Sequence, residues 1–259
     1  MNIKLYNQIM HYKFLKKIIG ILGFKLVNKN LIKNNRLLSN YTSTKIEKIV
    51  ENLFINNEIK TIIQIGSNDG QRFDFLGKFI KKYFPKVIFV EPILTSFKQL
   101  KEYHKNQDNL FFENSAISVN SEINKLFKVK ENKLNQYDNH VAGITSFNKK
   151  HLIMHGIKKK HVTEEKVNSI STNELLNKYS INNFDFLIID TEGYDAKIVL
   201  DFLLTSKIRP TIFFEYIHSE NEILKKTLEI LKINNYYIFK IEENLACFHK
   251  NIIEKVKFF

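Results

Sequence analysis

The sequence predicts an α/β protein in which strands and helices alternate to form a mostly parallel, Rossmann-like sheet with an antiparallel last strand. Two short runs, Thr61–Ile65 and Phe186–Ile189, are hydrophobic nearly throughout, as expected of strands that are buried on both faces. The first run stops at a polar loop bracketed by glycines at residues 66–70, and an amphipathic stretch follows. A closing pair of apolar segments, at 236–241 and 245–249, predicts the hairpin that supplies the antiparallel strand.

The composition is that of one main globular domain. The chain has 259 residues, of which 44% are hydrophobic and 26% are charged. Its single cysteine, Cys247, excludes a disulfide framework and fits a reducing compartment, so we expect a cytoplasmic protein. The formal charge of +13 comes almost entirely from lysine. Nucleic-acid recognition relies on the arginine fork, so we interpret this charge as compositional drift, with a functional basic surface as the alternative.

Residues 1–57 are predicted to form an N-terminal helical extension. Apolar residues recur there at helical spacing with lysines between them, which predicts a basic amphipathic helix; they are Tyr12, Leu15, Ile18, Ile19 and Leu22. We interpret this helix as packing on the protein body, with peripheral contact to the inner face of a membrane as the alternative. The apolar run at 18–24 is too short to cross a bilayer, which needs ~20 residues.

A second helix, from residue 43 or 44 to about 54, should cover one flank of the first strand.

The loop after the first strand indicates which cofactor binds. Gly66 and Gly70 bracket it, but a dinucleotide site would have another glycine where Asn68 stands, and a P-loop would end in Gly-Lys-Ser/Thr. The loop instead offers the polar side chains Gln64, Asn68 and Asp69. These suit a ligand that carries an ammonium and a sulfonium, and S-adenosylmethionine (SAM) is such a ligand.

The next two strands extend this site. Strand Lys86–Val90 ends on Glu91, which stands 21 positions after Gly70 (91 minus 70). This is close to the spacing at which an acidic side chain meets ribose hydroxyls. A third strand is predicted at 110–117, and we expect the adenine to lie beside the polar residues at its carboxyl end. The intervening helices are predicted at residues 71–84 and 96–103.

A long insertion at 130–161 interrupts the alternation of strands and helices, between short strands predicted at 122–129 and 162–170. We assign it to acceptor binding, because long loops above the carboxyl edge of a sheet are usually functional. His151 and His155 stand four residues apart, as in metalloprotease helices, but the glutamate of that motif is missing. We therefore interpret them as a surface pair rather than a metal site.

Three carboxylates follow the strand Phe186–Ile189 within six residues: Asp190, Glu192 and Asp195. Carboxylates this close repel one another, and the cost is usually tolerated where a cation or a reacting proton compensates. The alternative is a helix N-terminus that carries acidic residues, which accounts for Glu192 and Asp195 better than for Asp190.

Five segments carry a resemblance to a known family: IGSNDG at 65–70, VEP at 90–92, SAIS at 115–118, IDTEGYD at 189–195 and FFEYIH at 213–218. In this order they resemble the FkbM family of SAM-dependent methyltransferases, over residues 60–240. The resemblance implies a class I methyltransferase fold and methyl transfer, usually to a hydroxyl oxygen of a polyketide, sugar or glycan. It does not reach residues 1–57. We therefore expect a methyltransferase domain at 58–250 and a C-terminal tail at 251–259.

Methyl transfer requires an acceptor oxygen to be aligned with the methyl group and to lose a proton. We predict Asp190 as the base or acceptor-orienting residue, followed by Glu215 and His218 near the end of the strand at 211–216. No metal is expected, although Asp190, Glu192, Glu215 and His218 could alternatively hold Mg²⁺. The residues assigned to SAM are Gln64, Gly66, Asn68, Asp69, Gly70, Glu91, Pro92, Ser115, Ala116, Asp190 and Glu192.

Two other functions stay open at this point, an RNA-directed methyltransferase that uses the basic surface and a non-catalytic binding module. Methylation of a nucleobase amine is disfavoured, because residues 190–193 replace the expected Asn/Asp-Pro-Pro-aromatic motif. Methylation of cytosine C5 is disfavoured because Cys247 lies in the last predicted strand. The retained carboxylates argue against a non-catalytic module.

Overall fold

The structure is a computed structural model, and it describes residues 46–56, 58–71, 75–119, 125–138, 141 and 143–253. The predicted basic amphipathic helix at 12–22 lies outside these residues, as does most of the predicted C-terminal tail. Among the helices within these ranges, none combines the length and the apolar content that a membrane span requires.

Helices and strands alternate along the described chain, as the sequence predicts. The helices are α1 (Ile46–Ile55), α2 (Gly77–Tyr83), α3 (Leu94–Tyr103), α4 (Lys149–Met154), α5 (Thr172–Lys178), α6 (Asp195–Thr205), α7 (Asn221–Ile233) and α8 (Lys250–Ile253). The strands are β1 (Thr61–Ile65), β2 (Lys86–Val90), β3 (Leu110–Glu113), β4 (Ala116–Ile117), β5 (Lys125–Val129), β6 (Val162–Lys166), β7 (Ser169–Ile170), β8 (Phe186–Ile189), β9 (Thr211–Glu215), β10 (Tyr236–Ile241) and β11 (Asn244–His249).

Seven strands form one sheet in the order β10-β11-β9-β8-β1-β2-β3. Strand β1 pairs in parallel with both β2 and β8, while β11 is antiparallel to both β9 and β10. The predicted mostly parallel sheet with an antiparallel last strand is therefore confirmed, and its strand order is that of the class I methyltransferase fold. The chain leaves β1 toward β3 and later returns to β8, so the order reverses at β1. The carboxyl ends of β1 and β8 meet at this switch point, where ligands bind in open α/β sheets.

The core explains why these segments are strands. The central strands β1, β2 and β8 are buried on both faces, and their apolar residues pack between helices on the two sides. Helix α1 buries Ile49, Val50, Leu53 and Phe54 against one face, which confirms the predicted cover on the flank of the sheet. The ring of Phe54 stacks on that of Tyr83, with 4.7 Å between ring centroids, and so ties α1 to α2.

Several predicted boundaries are wrong. The helix expected from residue 71 begins at Gly77, and the segment 72–74 lies outside the described residues. The strand expected at 110–117 breaks at Asn114, because the Asn114 side chain donates hydrogen bonds to the carbonyls of Glu91 and Pro92. The chain then continues as β4, which pairs with β7 in a separate two-stranded sheet. Strands β5 and β6 form a second such sheet, so the strand predicted at 162–170 is divided between the two.

Candidate active site

A cavity of about 590 Å³ opens where the carboxyl ends of β1, β2, β8 and β9 meet. It has the size of a small-molecule site, for which ~300–1,000 Å³ is usual. One part of its wall comes from the loops after these strands, and another part comes from the insertion through Gly143, Thr145, Phe147 and His155. The sheet side and the insertion side could therefore hold two different molecules next to each other.

The loop after β1 is joined to both neighbouring strands by its backbone. The N–H groups of Gly66 and Ser67 donate to the carbonyl of Val90, at 2.9 and 3.1 Å, and the N–H of Asp190 donates to the carbonyl of Ile65 at 2.9 Å. Gly66 has a φ of +83°, and a Cβ built on it would lie 1.8 Å from the carbonyl oxygen of Asp190. Only glycine allows the β1 loop and the end of β8 to approach this closely.

Glu91 is held by backbone donors on both carboxylate oxygens. The N–H of Asn68 donates to Oε2 and the N–H of Ile93 donates to Oε1, each at 2.8 Å. Glu91 lines the cavity and is only 5% exposed. Burial raises its pKa to about 7, although the bonds from Ile93 and Asn68 act in the opposite direction. The side chain is thus fixed at the end of β2, with its ionisation balanced near neutral pH.

Most residues predicted to bind the cofactor line this cavity. They are Gln64, Gly66, Asn68, Glu91, Pro92, Ser115, Ala116, Asp190 and Glu192. Among the described residues, the Oε1 atom of Gln64 is buried and has no hydrogen-bond partner, so it is available to a ligand donor. Asp69 and Gly70 are not among the lining residues. Asp69 accepts from the N–H of Gln71 at 3.0 Å, and Gly70 packs against Leu100.

Glu113, at the carboxyl end of β3, is held by hydrogen bonds and an ion pair next to the cavity. The carboxylate of Glu113 accepts hydrogen bonds from Ser115 Oγ at 2.6 Å and from the Tyr179 hydroxyl at 3.0 Å, and it pairs with Lys178 at 2.7 Å. Burial acts to raise the pKa of Glu113, but these three donors outweigh it, so the pKa is lowered. Glu113 therefore fixes Ser115 at the cavity and holds β3 to α5.

The three carboxylates after β8 separate into different roles. Asp195 points inward and is fully buried; it accepts from the N–H and hydroxyl of Thr191 and from the N–H of Gly193. Burial, together with the charge of Asp190, raises the pKa of Asp195 to about 7. Asp190 is exposed toward the cavity, which it lines together with Glu192. For Asp195 the structure agrees with the alternative interpretation, an acidic residue at a helix N-terminus, because Asp195 begins α6 and its hydrogen bonds shape the loop.

Glu215, at the end of β9, lies beside these groups. Its Oε2 atom is buried without a hydrogen-bond partner among the described residues, and its Oε1 atom is 3.8 Å from Nε2 of His218. Burial, followed by the charges of Asp190, Asp195 and Glu192, raises the pKa of Glu215 to about 10. The raised pKa favours the protonated form of Glu215, which can donate a hydrogen bond and is a poorer base than an ionised carboxylate.

Three histidines and Glu192 form a cluster on the insertion side. The ring centroids of His151, His155 and His218 lie 4.5 to 4.8 Å from one another. Nε2 of His151 is 2.9 Å from Oε2 of Glu192. Burial acts to raise the pKa of Glu192, but the bond to His151 and the other two histidines outweigh it and lower the pKa. The interpretation of His151 and His155 as a surface pair is wrong, because His151 is 7% exposed and contacts Glu192. The spacing of four residues between His151 and His155 was the feature of the sequence that could have indicated the cluster. Only the fold shows that Glu192 and His218 lie next to them.

Comparison with known proteins gives one family. A family model described as "Methyltransferase FkbM domain" matches residues 64–241. This range begins in β1 and ends with β10, so it includes the glycine loop, the carboxylates and the insertion. No curated protein sequence matches the chain well enough to count as a relative.

Solved structures that are similar to this chain are distant in sequence. A methyltransferase FkbM from Methylobacillus flagellatus KT has 11% identity and a TM-score of 0.44, over 74% of this chain and 44% of that one. This chain thus spans less than half the length of that protein. A putative caffeoyl-CoA O-methyltransferase from Staphylococcus aureus has 11% identity and a TM-score of 0.43, over 92% and 98% of the two chains. An O-methyltransferase from Bacillus cereus, solved in complex with SAH, has 9% identity and a TM-score of 0.40, over 90% and 96%.

Proposed function

Since this chain belongs to the FkbM methyltransferase family, we propose that it transfers the methyl group of SAM to a hydroxyl oxygen of a sugar, glycan or other small-molecule acceptor. The observation that carries this proposal is the wall of the cavity, where the Gly66 loop and the fixed carboxylate of Glu91 meet the acidic end of β8. A carboxylate-lined wall favours a positively charged methyl donor over a ligand that carries negatively charged phosphates.

The cofactor side of the cavity offers groups that fit SAM. Glu91 would accept from the ribose hydroxyls, and Ser115 and Ala116 would contact the adenine. The buried Oε1 of Gln64 is an unused acceptor that suits the ammonium group of the donor. When bound, SAM supplies an activated methyl group on a sulfonium centre.

The acceptor side is formed by the insertion. Thr145 and Phe147 line the cavity there, and the ring of Phe147 packs edge-on against Tyr194, with 4.8 Å between centroids. An aromatic wall next to polar groups suits the mixed apolar and hydroxylated surface of a sugar or a related acceptor. The fold gives this region no role in completing the main sheet, which supports a role in binding.

Asp190 is the group best placed to remove the acceptor proton. It reaches the cavity at the end of β8, and its backbone is fixed by the hydrogen bond to Ile65. The hydroxyl proton would pass to the Asp190 carboxylate as the oxygen forms its bond to the methyl carbon and the bond from that carbon to sulfur breaks. The protonated Glu215 would orient the acceptor by donating a hydrogen bond.

We also propose a cytoplasmic location, since Cys247 is a free thiol buried in β11.

The pKa of Glu91 predicts a pH dependence of binding. Ribose hydroxyls bind the ionised carboxylate better, so binding should favour deprotonated Glu91. Affinity for S-adenosylhomocysteine (SAH), the demethylated product, should then rise about tenfold between pH 6 and pH 8, as linkage to a group of pKa about 7 requires. Calorimetric titration at several pH values measures this rise. The Glu91→Gln variant should bind more weakly with little dependence on pH, and an equal slope in both proteins would contradict the assignment.

The acceptor class is tested with labelled SAM. The purified protein is incubated with methyl-labelled SAM and with separate fractions of glycans, lipids, small polyhydroxylated metabolites and RNA. We expect label in a hydroxylated fraction, as an ether that resists mild base. Label in RNA alone would replace the proposed acceptor with a nucleic acid, and SAH binding without label in any fraction would favour a non-catalytic module.

A further inference from the structure

Four side chains from three parts of the fold converge at the insertion side of the cavity. His151 lies in α4, His155 directly follows that helix, Glu192 follows β8, and His218 follows β9. One nitrogen or oxygen atom from each residue lies within 4.8 Å of those of the other three. We propose that these residues, called here the His₃Glu cluster, bind a divalent first-row transition-metal ion such as Zn²⁺.

The donor atoms decide the class of metal. Imidazole nitrogens suit zinc, iron, nickel and copper, whereas Mg²⁺ prefers oxygen ligands and retains several waters. Three imidazoles and one carboxylate therefore form a transition-metal set. This set differs from the oxygen-rich magnesium alternative suggested by the sequence, because His151 and His155 take the places of Asp190 and Glu215.

The geometry needs only small adjustments to hold such an ion. Zinc bonds to nitrogen are ~2.0–2.1 Å long, which places tetrahedral ligand atoms ~3.4 Å apart. Nε2 of His151 and Oε2 of Glu192 are already 2.9 Å apart, and the full set spans at most 4.8 Å. The widest separation must therefore close by roughly 1.4 Å (4.8 minus 3.4), which small side-chain rotations of the two residues involved can provide.

The surroundings fix the ligands at their bases. His151 and His155 are four residues apart, so they project from the same side of one helical turn. The backbone of Glu192 is held by the Ser146 hydroxyl, which donates to its carbonyl at 3.0 Å. Such outer contacts orient metal ligands, and here they come from the insertion itself. The insertion thus supplies two of the four ligands, His151 and His155, and a contact that holds the backbone of a third, Glu192.

The cluster is open toward the acceptor side. His155, Glu192 and His218 line the cavity, and the carboxylate of Asp190 adds negative charge that favours a cation. A metal ion held there could bind the acceptor oxygen and lower the pKa of its hydroxyl, with the released proton passing to Asp190. This role of the ion rests on the proposed function, whereas its binding does not.

Equilibrium dialysis of the full chain tests the site. Protein stripped with a chelator is dialysed against Zn²⁺ or Co²⁺, and bound metal is counted by mass spectrometry. We expect one ion per chain, with the visible absorption of Co²⁺ that nitrogen ligands produce. His155→Ala and His218→Ala should each weaken binding by at least roughly 10–100-fold, the loss that even outer-shell changes cause.

His249→Ala is the matched control. His249 lies on β11 with its ring against Tyr236, outside the cluster, so this variant should bind metal like the parent. If a cluster variant fails to fold by circular dichroism, His155→Asn replaces it. No stoichiometric metal in the parent, or equal loss in His249→Ala, would overturn the proposal. SAH titration of the same samples separates the two claims: SAH binding without metal refutes only this site, and metal without SAH refutes only the proposed function.

Discussion

Replacing Asp190 with asparagine should lower kcat by roughly 10²–10⁴-fold, the range that a general base contributes. The variant keeps the size of the side chain and the backbone hydrogen bond from residue 190 to Ile65, so the cavity should keep its shape. The amide cannot accept the acceptor proton. Affinity for SAH should therefore change by less than about threefold, because the loss is confined to the chemical step. Steady-state kinetics with labelled SAM, together with calorimetry, measures the two effects separately.

Asp201→Asn is the control for Asp190→Asn. Asp201 lies on α6 outside the cavity, and its variant should retain the parent kcat. A parallel loss of SAH affinity in Asp190→Asn would mean that Asp190 binds the cofactor instead of acting on the acceptor. An unchanged kcat would transfer the role of base to a group other than Asp190.

Replacing Gly66 with alanine should have the largest effect on cofactor binding. The new Cβ would lie 1.8 Å from the carbonyl oxygen of Asp190, so either the β1 loop or the end of β8 must move. A displacement of about 1 Å can cost roughly 100-fold in an aligned site, and we expect SAH affinity and turnover both to fall by at least that factor. Calorimetry with SAH and thermal melting measure this effect together.

Gly156→Ala is a matched control for Gly66→Ala. Gly156 has nearly the same φ, +85°, but no atom lies within 4 Å of the position of its Cβ. In both variants, an alanine in a left-handed conformation destabilises the protein by about 1–2 kcal/mol, but only Gly66→Ala also introduces a steric clash. Gly156→Ala should therefore lose some thermal stability and keep its SAH affinity. Equal SAH binding by the two variants would contradict the role of close packing at Gly66.

The sheet could be predicted from the sequence because its strands carry local signals. β1, β2 and β8 are short apolar runs that end in polar residues, and such runs predict buried parallel strands without knowledge of their partners. The helix boundaries were less predictable. The helix expected from residue 71 begins only at Gly77, after the turn at Asp69 and the packing of Gly70 against α3.

The site could be predicted only where one strand end supplies it. Glu91 follows β2 and Asp190 follows β8, so their spacing from the glycine loop or from an apolar run was sufficient to place both at the cavity that the structure shows. The His₃Glu cluster forms only because the fold brings the insertion close to the ends of β8 and β9. No local sequence pattern predicts that these three segments are neighbours. Asp195 shows the opposite limit. Asp195 and Asp190 are the same residue type and follow the same strand, so the sequence does not separate their roles. In the structure, Asp195 is buried and accepts three hydrogen bonds that shape the loop.

The central claim is that the cavity wall formed by the Gly66 loop and Glu91 binds a sulfonium methyl donor and its product. Isothermal titration of the purified full chain with SAM, SAH, NAD and ATP tests it most directly. We predict saturable binding of SAM and SAH at one site per chain, and no heat beyond dilution with NAD or ATP. No response to SAM or SAH, together with tight binding of NAD or ATP, would contradict the claim.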